Sequence, residues 1–242
     1  MPSNQLIQEK KQLVLDRINT YHLKRMAGSK GNIFLISNTY PGVWLEHVYD
    51  AVSWVNYDKS DPSVSINQIN LFLDRQKPDG QLPCYIIDPD KKTGFKNLVG
   101  YSQTQECVSF ARLCLEACLQ NNDMNLLKQC YEKCKNWDNW LTKYRMTMKT
   151  GLIEMFCGFD TGHDNSGRFE NIKYKGNFSD DAKDYPINDE YLPFITPDMN
   201  AVFYGSKTAL AVMAGKLGLQ EEAHMWKQAA HEIKKKIIEI CY

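Results

Sequence analysis

The sequence predicts an all-α protein built from helical hairpins in two concentric layers, an α/α toroid, with a curved helical solenoid as the other arrangement compatible with the pattern. Three observations lead there. Between Thr104 and Leu119 the apolar residues Val108, Phe110, Ala111, Leu113, Cys114, Leu115, Ala117 and Cys118 go nearly all round a helical pattern. The next stretch, Leu127 to Tyr144, is one-sided: Cys130, Tyr131, Cys134, Trp137 and Leu141 recur at i+3 or i+4 opposite Lys, Glu, Asn and Asp. The same alternation returns near the C-terminus, where Ala201 to Leu217 is apolar all round and Ala223, Trp226, Ala230, Ile233, Ile237 and Ile240 then form a single stripe after Gly218. A helix buried on most sides followed by a half-exposed partner is what an inner and an outer helical layer require.

The remaining elements follow in order. From Gln5 to Ala27, Leu6, Leu13, Val14, Ile18 and Tyr21 stand among charged residues with no Gly or Pro, which predicts one amphipathic helix stopped by Gly28-Ser-Lys-Gly31. Asn38 to Gly42 (NTYPG) has loop chemistry and leads to a shorter helix from Trp44 to Asn56, interrupted by Asp58 to Pro62. A helix from Ser63 to Arg75 ends at Lys77-Pro-Asp-Gly80, where Pro and Gly favour a tight turn. The segment from Thr150 to Pro197 is too long for a plain connection, and such loops in compact folds usually carry function.

Composition narrows the function classes. The 242 residues carry 29 Lys and Arg against 29 Asp and Glu, so no basic surplus exists to neutralise a phosphate backbone, and nucleic acid is not an expected partner. The longest apolar run, Ala209 to Ala214, is far below a membrane span, and the polar start MPSNQLIQEKKQ lacks the apolar core of a secretory signal; a cytoplasmic setting without membrane contact is expected. The eight cysteines include no CxxC pair. Cys114/Cys118 and Cys130/Cys134 are i, i+4 and read as buried hydrophobes, so no metal and no cofactor is expected.

Chemistry concentrates in Gly158-Phe-Asp-Thr-Gly-His-Asp-Asn-Ser-Gly-Arg-Phe169. Carboxylate, amide and guanidinium groups of this kind bind sugar hydroxyls, and glycosidic cleavage needs a carboxylic acid to protonate the leaving oxygen; Asx-turns that cap loops are the other use of the same residues. GLIEMFCGFDTGHDNSGRF resembles the G-(W/F)-D-S-G-x-D-N-S-P-R-F signature of the six-hairpin (α/α)6-barrel glycosidases related to trehalase, the processing α-glucosidases and mannosylglycerate hydrolase, which are inverting enzymes. Four further segments are similar in the same order: WLEHVYDAVSW (44–54), with Tyr49-Asp50 where Trp-Asp is usual; QKPDGQLP (76–83), similar to Q-x-P-D-G-x-I-P; Ser102-Gln-Thr-Gln105, similar to S-Q-P-P; and Asp198-Met-Asn-Ala201, similar to D-L-N-A.

The resemblance implies roles residue by residue. Asp164 matches the general acid, and Asp50 the residue holding hydroxyls of the sugar to be released. Gln103, Gly162, Arg168 and Asn200 are implied as substrate contacts or as residues shaping the site, and Asp160 and Ser166 as loop-fixing or ligand-touching in equal measure. Trp44 and Trp54 flank the Asp50 segment, one of them as a platform for a sugar ring. Because a cation would strip the acid of its proton, Arg168 is expected to pair with another carboxylate such as Asp50 or Asp160. Gly167, Tyr49 and His163 depart from the family pattern. His163 is expected to face solvent, His224 and His231 to lie on the surface, and Trp137, Trp140 and Trp226 to be core. Asn177-Phe-Ser179 matches a glycosylation acceptor, which carries no weight without a secretory signal.

Inversion also needs a carboxylate that activates water. The resemblance implies that it comes from the C-terminal half of the barrel, and about seven helices are predicted where a full barrel has twelve. Residues 1–242 therefore read as one partial (α/α)6 domain, the N-terminal half. A truncated reading frame is the favoured explanation; one of two chains that complete a barrel, and a non-catalytic sugar-binding or scaffold protein, are the others. Glu46, Glu154 and Glu190 are the carboxylates within the chain that could stand in as base, and the spacing selects none of them.

Overall fold

In a computed structural model, which describes residues 3–37, 39–164, 166–170, 179–185 and 192–242, the helices pair off along the chain. After α1 (Asn4–Arg17) come three hairpins: α2 (Val48–Asp58) with α3 (Ser63–Leu73), α4 (Phe110–Asn121) with α5 (Met124–Tyr144), and α6 (Pro197–Lys216) with α7 (Gln220–Cys241). One layer consists of α2, α4 and α6, each against the next, and α3, α5 and α7 back their hairpin partners. This is the expected partial toroid.

Local chemistry sets the boundaries. Ser3 and Asp123 cap α1 and α5 by accepting the amides of Leu6 (3.2 Å) and Leu126 (2.9 Å). Lys59 and Asn122, both left-handed, end α2 and α4. The expected core is in place: Trp137, Trp140 and Trp226 are buried, His224 and His231 are exposed, and Cys114 and Cys118 of α4 pack as free thiols with Cys130 and Cys134 of α5. The apolar surround of α6 also takes in a charged residue, Lys207, whose ammonium lies buried at 2.9 Å from both carboxylate oxygens of Asp138 on α5. Removing either partner alone would strand a buried charge.

Two expectations about element bounds are corrected. The single helix from Gln5 to Ala27 stops at Arg17, widens into a π turn (Ile18–His22) and becomes a hairpin of β1 (Leu23–Arg25) and β2 (Asn32–Phe34). Gln68 of α3 draws that hairpin in by accepting the Phe34 amide at 2.8 Å. Three-residue strands are too short to impose a period of two on the flanking helical pattern. The helix expected from Thr104 starts only at Phe110, capped by Ser109. Upstream, Gln105 is left-handed (φ +48°), and the Thr104 amide donates to Asp160 at 2.8 Å rather than to a helical carbonyl.

A second small sheet was not foreseen. β3 (Gly42–Trp44), β4 (Tyr85–Ile87) and β5 (Val99–Gly100) pair antiparallel in that order, placing Trp44 opposite Tyr85. The sheet joins the entry of α2 to the turn after α3. In that turn Gly80 adopts φ +99°, and a Cβ there would stand 2.3 Å from the Asn136 carbonyl oxygen on α5, so only glycine closes the chain against the helix.

Candidate functional site

The loop after α5 is pinned from beneath. Asp160, fully buried in a short 3-10 turn (Gly158–Thr161), accepts the amides of Thr104 (2.8 Å) and Phe156 (2.9 Å), and its Oδ2 lies 4.0 Å from the buried Arg145 guanidinium. Of its two implied uses, fixing the loop is the one the geometry shows. Gly162 ends the turn at φ +72°; a Cβ there would lie 2.8 Å from Cys107 Cβ and 3.3 Å from Glu46 Oε2. Gly162 therefore shapes the site by letting backbone press against Glu46 and Cys107. It turns the chain toward Asp164.

Asp164 lines a cavity of about 220 Å³. Beside it stand the polar side chains of Glu46, Gln103 and Gln105 and the rings of Tyr40, Trp44, Tyr85, Phe95 and Phe159. The short sheet supplies the aromatic wall: Trp44 meets Tyr85 at 5.7 Å and Phe95 at 5.8 Å between ring centroids, and Tyr40 meets Trp44 edge-on at 5.1 Å. Trp44 is thus the flanking tryptophan at the cavity. Trp54 is buried in a separate cluster with Phe34 and Tyr57 near it. The side-chain oxygens of Gln103 and Gln105 are buried and have no hydrogen-bond partner among the described residues. Native folds seldom leave such atoms unpaired.

Burial raises the Asp164 carboxyl above its ordinary range, opposed by its own backbone amide and by His163. No guanidinium faces it among the described residues, because Arg168 is engaged elsewhere. Its guanidinium pairs with Asp198 and stands 2.6 Å from His163 Nδ1. The expected partners, Asp50 or Asp160, are corrected to Asp198, which the fold brings alongside at the start of α6. Burial works against ionisation of Asp198, but Arg168 together with the hydrogen bonds of the Thr196 hydroxyl and the Met199 amide outweighs it and holds that carboxyl low. His163 is more than half exposed, as expected of a loop histidine.

Glu46, on the 3-10 turn (Leu45–His47) leading into α2, is the other carboxyl of the cavity. Its Oε2 accepts from the Cys107 thiol at 3.3 Å, and the same sulfur lies 3.5 Å from the Gln105 carbonyl, so one thiol ties Glu46 to the irregular segment before α4. Burial raises Glu46, the Cys107 hydrogen bond lowers it, and the charge of Asp164 raises it further. The neighbouring His47 ring is buried, which lowers its pKa to about 4; the 3.8 Å approach of His47 to Glu46 is therefore no ion pair near neutral pH. Asp50 lies one turn beyond Glu46, half-buried and raised by burial and by Glu46, but it does not line the Asp164 cavity. Asn200 is fully buried and bonded to Ile153 through both its oxygen (2.8 Å) and its nitrogen (2.9 Å). It locks the loop to α6.

Of the carboxylates that could stand in as base, Glu154 is fully buried and accepts the amides of Thr147 (2.8 Å) and Met148 (2.6 Å), a loop-closing use, while Glu190 lies outside the described residues, as do Asn38, Asn165 and Asn177. Sequence reasoning missed Gln105 and the aromatic wall. Gln105 carried a signal, since it stands where the resembling motif has proline; Tyr40, Tyr85 and Phe95 carried none, because a sheet of two- and three-residue strands brings them together. Behind Glu46 a second cavity of about 190 Å³ is lined by Glu106, Cys107, Gly162, His163 and Asp198 among others. Glu106 is fully buried and its pKa is raised to about 8 by burial, against the hydrogen bond it accepts from Trp137 at 3.2 Å.

No helix among the described residues is long and apolar enough to cross a membrane. Comparison with known proteins supplies the family. A search of curated proteins finds no match to the chain. Among solved structures, an uncharacterized conserved protein from Thermus thermophilus superposes with a TM-score of 0.68 at 16% identity over 95% of this chain and 62% of its own. The GH63 mannosylglycerate hydrolase from Thermus thermophilus in complex with glucose gives 0.67 at 15% identity over 95% and 63%, and the same enzyme in complex with Tris 0.60 at 16% over 83% and 59%. The chain thus spans less than two thirds of the length of these structures, and the likeness shows the fold. The family profile described as a mannosylglycerate hydrolase MGH1-like glycoside hydrolase domain matches residues 50–242. The chain therefore belongs to the mannosylglycerate hydrolase MGH1-like glycoside hydrolase domain family.

Proposed function

We propose that this chain is the acid-bearing part of an inverting glycoside hydrolase acting on an α-glucoside or α-mannoside, such as an α-linked disaccharide or mannosylglycerate. Asp164 is the general acid. The observation that carries this reading is its place: a carboxyl raised by burial, with no guanidinium against it, in a cavity walled by Trp44, Tyr85 and Phe95 and by unpaired amide oxygens. Burial of this kind favours the protonated form that a general acid needs, while the rings cover one face of the sugar. Gln103 and Trp44 are the substrate contacts. Gly162 and Arg168 shape the loop, and Asp50 sets the charge around Glu46.

The water-activating carboxylate is assigned to the part of the toroid that this chain does not span, since nothing observed gives Glu46, Glu154 or Glu190 that duty. Burial and the charge of an ionised Asp164 raise the Glu46 carboxyl against the lowering Cys107 hydrogen bond, a balance that disfavours the ionised form a base needs. The test is Asp164→Asn in the protein carrying the complete toroid. Turnover of an α-glycoside with a poor leaving group should fall by about 10²–10⁴-fold with substrate binding retained, because an amide keeps the shape and hydrogen bonds of the acid but gives up no proton. Near-normal kcat would remove Asp164 from the role. The 242-residue chain alone is expected to bind glycosides and hydrolyse none.

A further inference from the structure

The Asp164 cavity has a second polar wall that the family signature does not supply. Glu46 and Gln105 form it, joined through the Cys107 sulfur, 3.3 Å from the Glu46 carboxyl and 3.5 Å from the Gln105 carbonyl. Three features say that this wall meets a ligand. Gln105 is about 95% buried, yet its side-chain oxygen has no partner among the described residues, and its backbone is held left-handed, a strained conformation for a non-glycine residue. Gly162 packs its backbone onto Glu46 and Cys107, which fixes where the carboxyl stands relative to the Asp164 loop. The cavity, at about 220 Å³, is smaller than pockets that enclose drug-sized ligands and has room for a single sugar ring.

The charge of the lining bears on ligand class. Two carboxyls, two amides and two phenols line it with three further aromatic rings, and no lysine or arginine does so among the described residues. An anionic ligand would lose hydration there without a counter-charge, whereas hydroxyl groups both donate to and accept from such a set.

We propose that Glu46 is a substrate-contacting, specificity-determining residue that, with Gln105, binds ring hydroxyls of an uncharged hexopyranose in the cavity it shares with Asp164, and that this cavity rejects a sugar bearing a carboxylate. The inference rests on the glycosidase reading and names the sugar class of that same site. The raised carboxyl of Glu46 is consistent with it, since a protonated acid can donate to one hydroxyl and accept from another.

The test titrates the 242-residue chain by NMR with methyl α-mannopyranoside, methyl α-glucopyranoside and methyl α-glucuronide. The wild type should bind at least one of the neutral glycosides about tenfold or more tightly than the glucuronide. Glu46→Ala should weaken neutral binding about tenfold at an unchanged melting temperature, the weight of a hydrogen bond to a strongly polar acceptor. Glu46→Gln keeps shape and hydrogen bonding should Glu46→Ala fail to fold; it should bind neutral glycosides within severalfold of wild type and tolerate the glucuronide better, a change that a merely structural role would not produce. Neutral binding unaltered in the folded Glu46→Ala variant, or a glucuronide bound as tightly as the neutral sugars by wild type, would overturn the proposal. So would the absence of glycoside binding by wild type, in which case Asp164 would still be judged separately on the turnover of Asp164→Asn.

Discussion

Two charged, turn-forming segments lie on either side of the molecule's chemistry and are used in opposite ways. In QKPDGQLP (76–83) the polar groups find partners within the protein. Lys77 pairs with Asp181 at 2.6 Å, Asp79 with Lys183 at 2.7 Å, and Gln76 donates to the carbonyls of Gly80 (2.9 Å) and Lys133 (2.8 Å). In the loop from Gly158 to Arg168 and the segment it rests on, the groups that fix the backbone are satisfied, Asp160 foremost, while the side-chain oxygens of Gln103 and Gln105 have no partner among the described residues. Both segments belong to the same run of family-like motifs. The difference teaches that a motif residue is structural where its hydrogen bonds are closed by the chain itself, and that the places to test for function are those where they are left open beside a cavity.

That contrast can be broken or sharpened by substitution. The largest effect belongs to the open side: Asp164→Asn should leave the fold and glycoside affinity nearly intact while the kcat of the complete enzyme falls by orders of magnitude, as single-turnover kinetics would register. On the closed side, Gly80→Ala meets both a positive φ and the Asn136 carbonyl, and chemical denaturation should show a loss of about 3 kcal/mol or more with the site chemistry of the folded fraction preserved. Gly162→Ala joins the two classes. Its left-handed backbone should cost about 1–3 kcal/mol, and displacement of Cys107 and Glu46 should weaken glycoside binding as well, in contrast to Gly80→Ala.

A smaller and pH-dependent effect is expected from Glu106. Its folded pKa of about 8 lies above the unfolded value of 4.5, so between these the unfolded chain releases a proton that the folded one retains. Stability from this group is therefore complete below about 4.5, declines as pH rises, and is lost above about 8. Asp138 and Lys207 lie close enough to act on it with opposite signs. Glu106→Gln keeps an acceptor for Trp137 and cannot ionise; its melting temperature relative to wild type should rise from pH 5 to pH 9, and a pH-independent difference would show that Glu106 is ionised in the fold. Least of all, Lys183→Met removes partly exposed ion pairs with Asp79 and Asp181 and should cost about 0.2–1 kcal/mol, less at high salt.

The helical layers were legible because burial on a helix writes a period of 3.6 into the sequence: α4 and α6 read as apolar nearly all round, α5 and α7 as striped, and the structure stacks them accordingly. The loop that sets Asp164 at a cavity was legible because its motif residues are dense. Less visible were the places where the backbone leaves a regular period. The β1–β2 hairpin was absorbed into a predicted helix, and the late start of α4 hid Gln105 inside an expected helical turn, although its replacement of proline was on view.

Sequence alone determined the hairpin architecture, the core cysteines and tryptophans, and the loop in which to look for an acid, because each is written in local periodicity or in contiguous motif residues. Tertiary structure decided which charges meet. It gave Arg168 to Asp198 rather than to Asp50 or Asp160, buried Asn200 as a loop lock, kept Asp50 off the cavity, and set Glu46 and an aromatic wall beside Asp164 from distant segments of the chain. Pairings of that kind depend on how three hairpins and a short sheet pack in space, and no spacing within one segment records them.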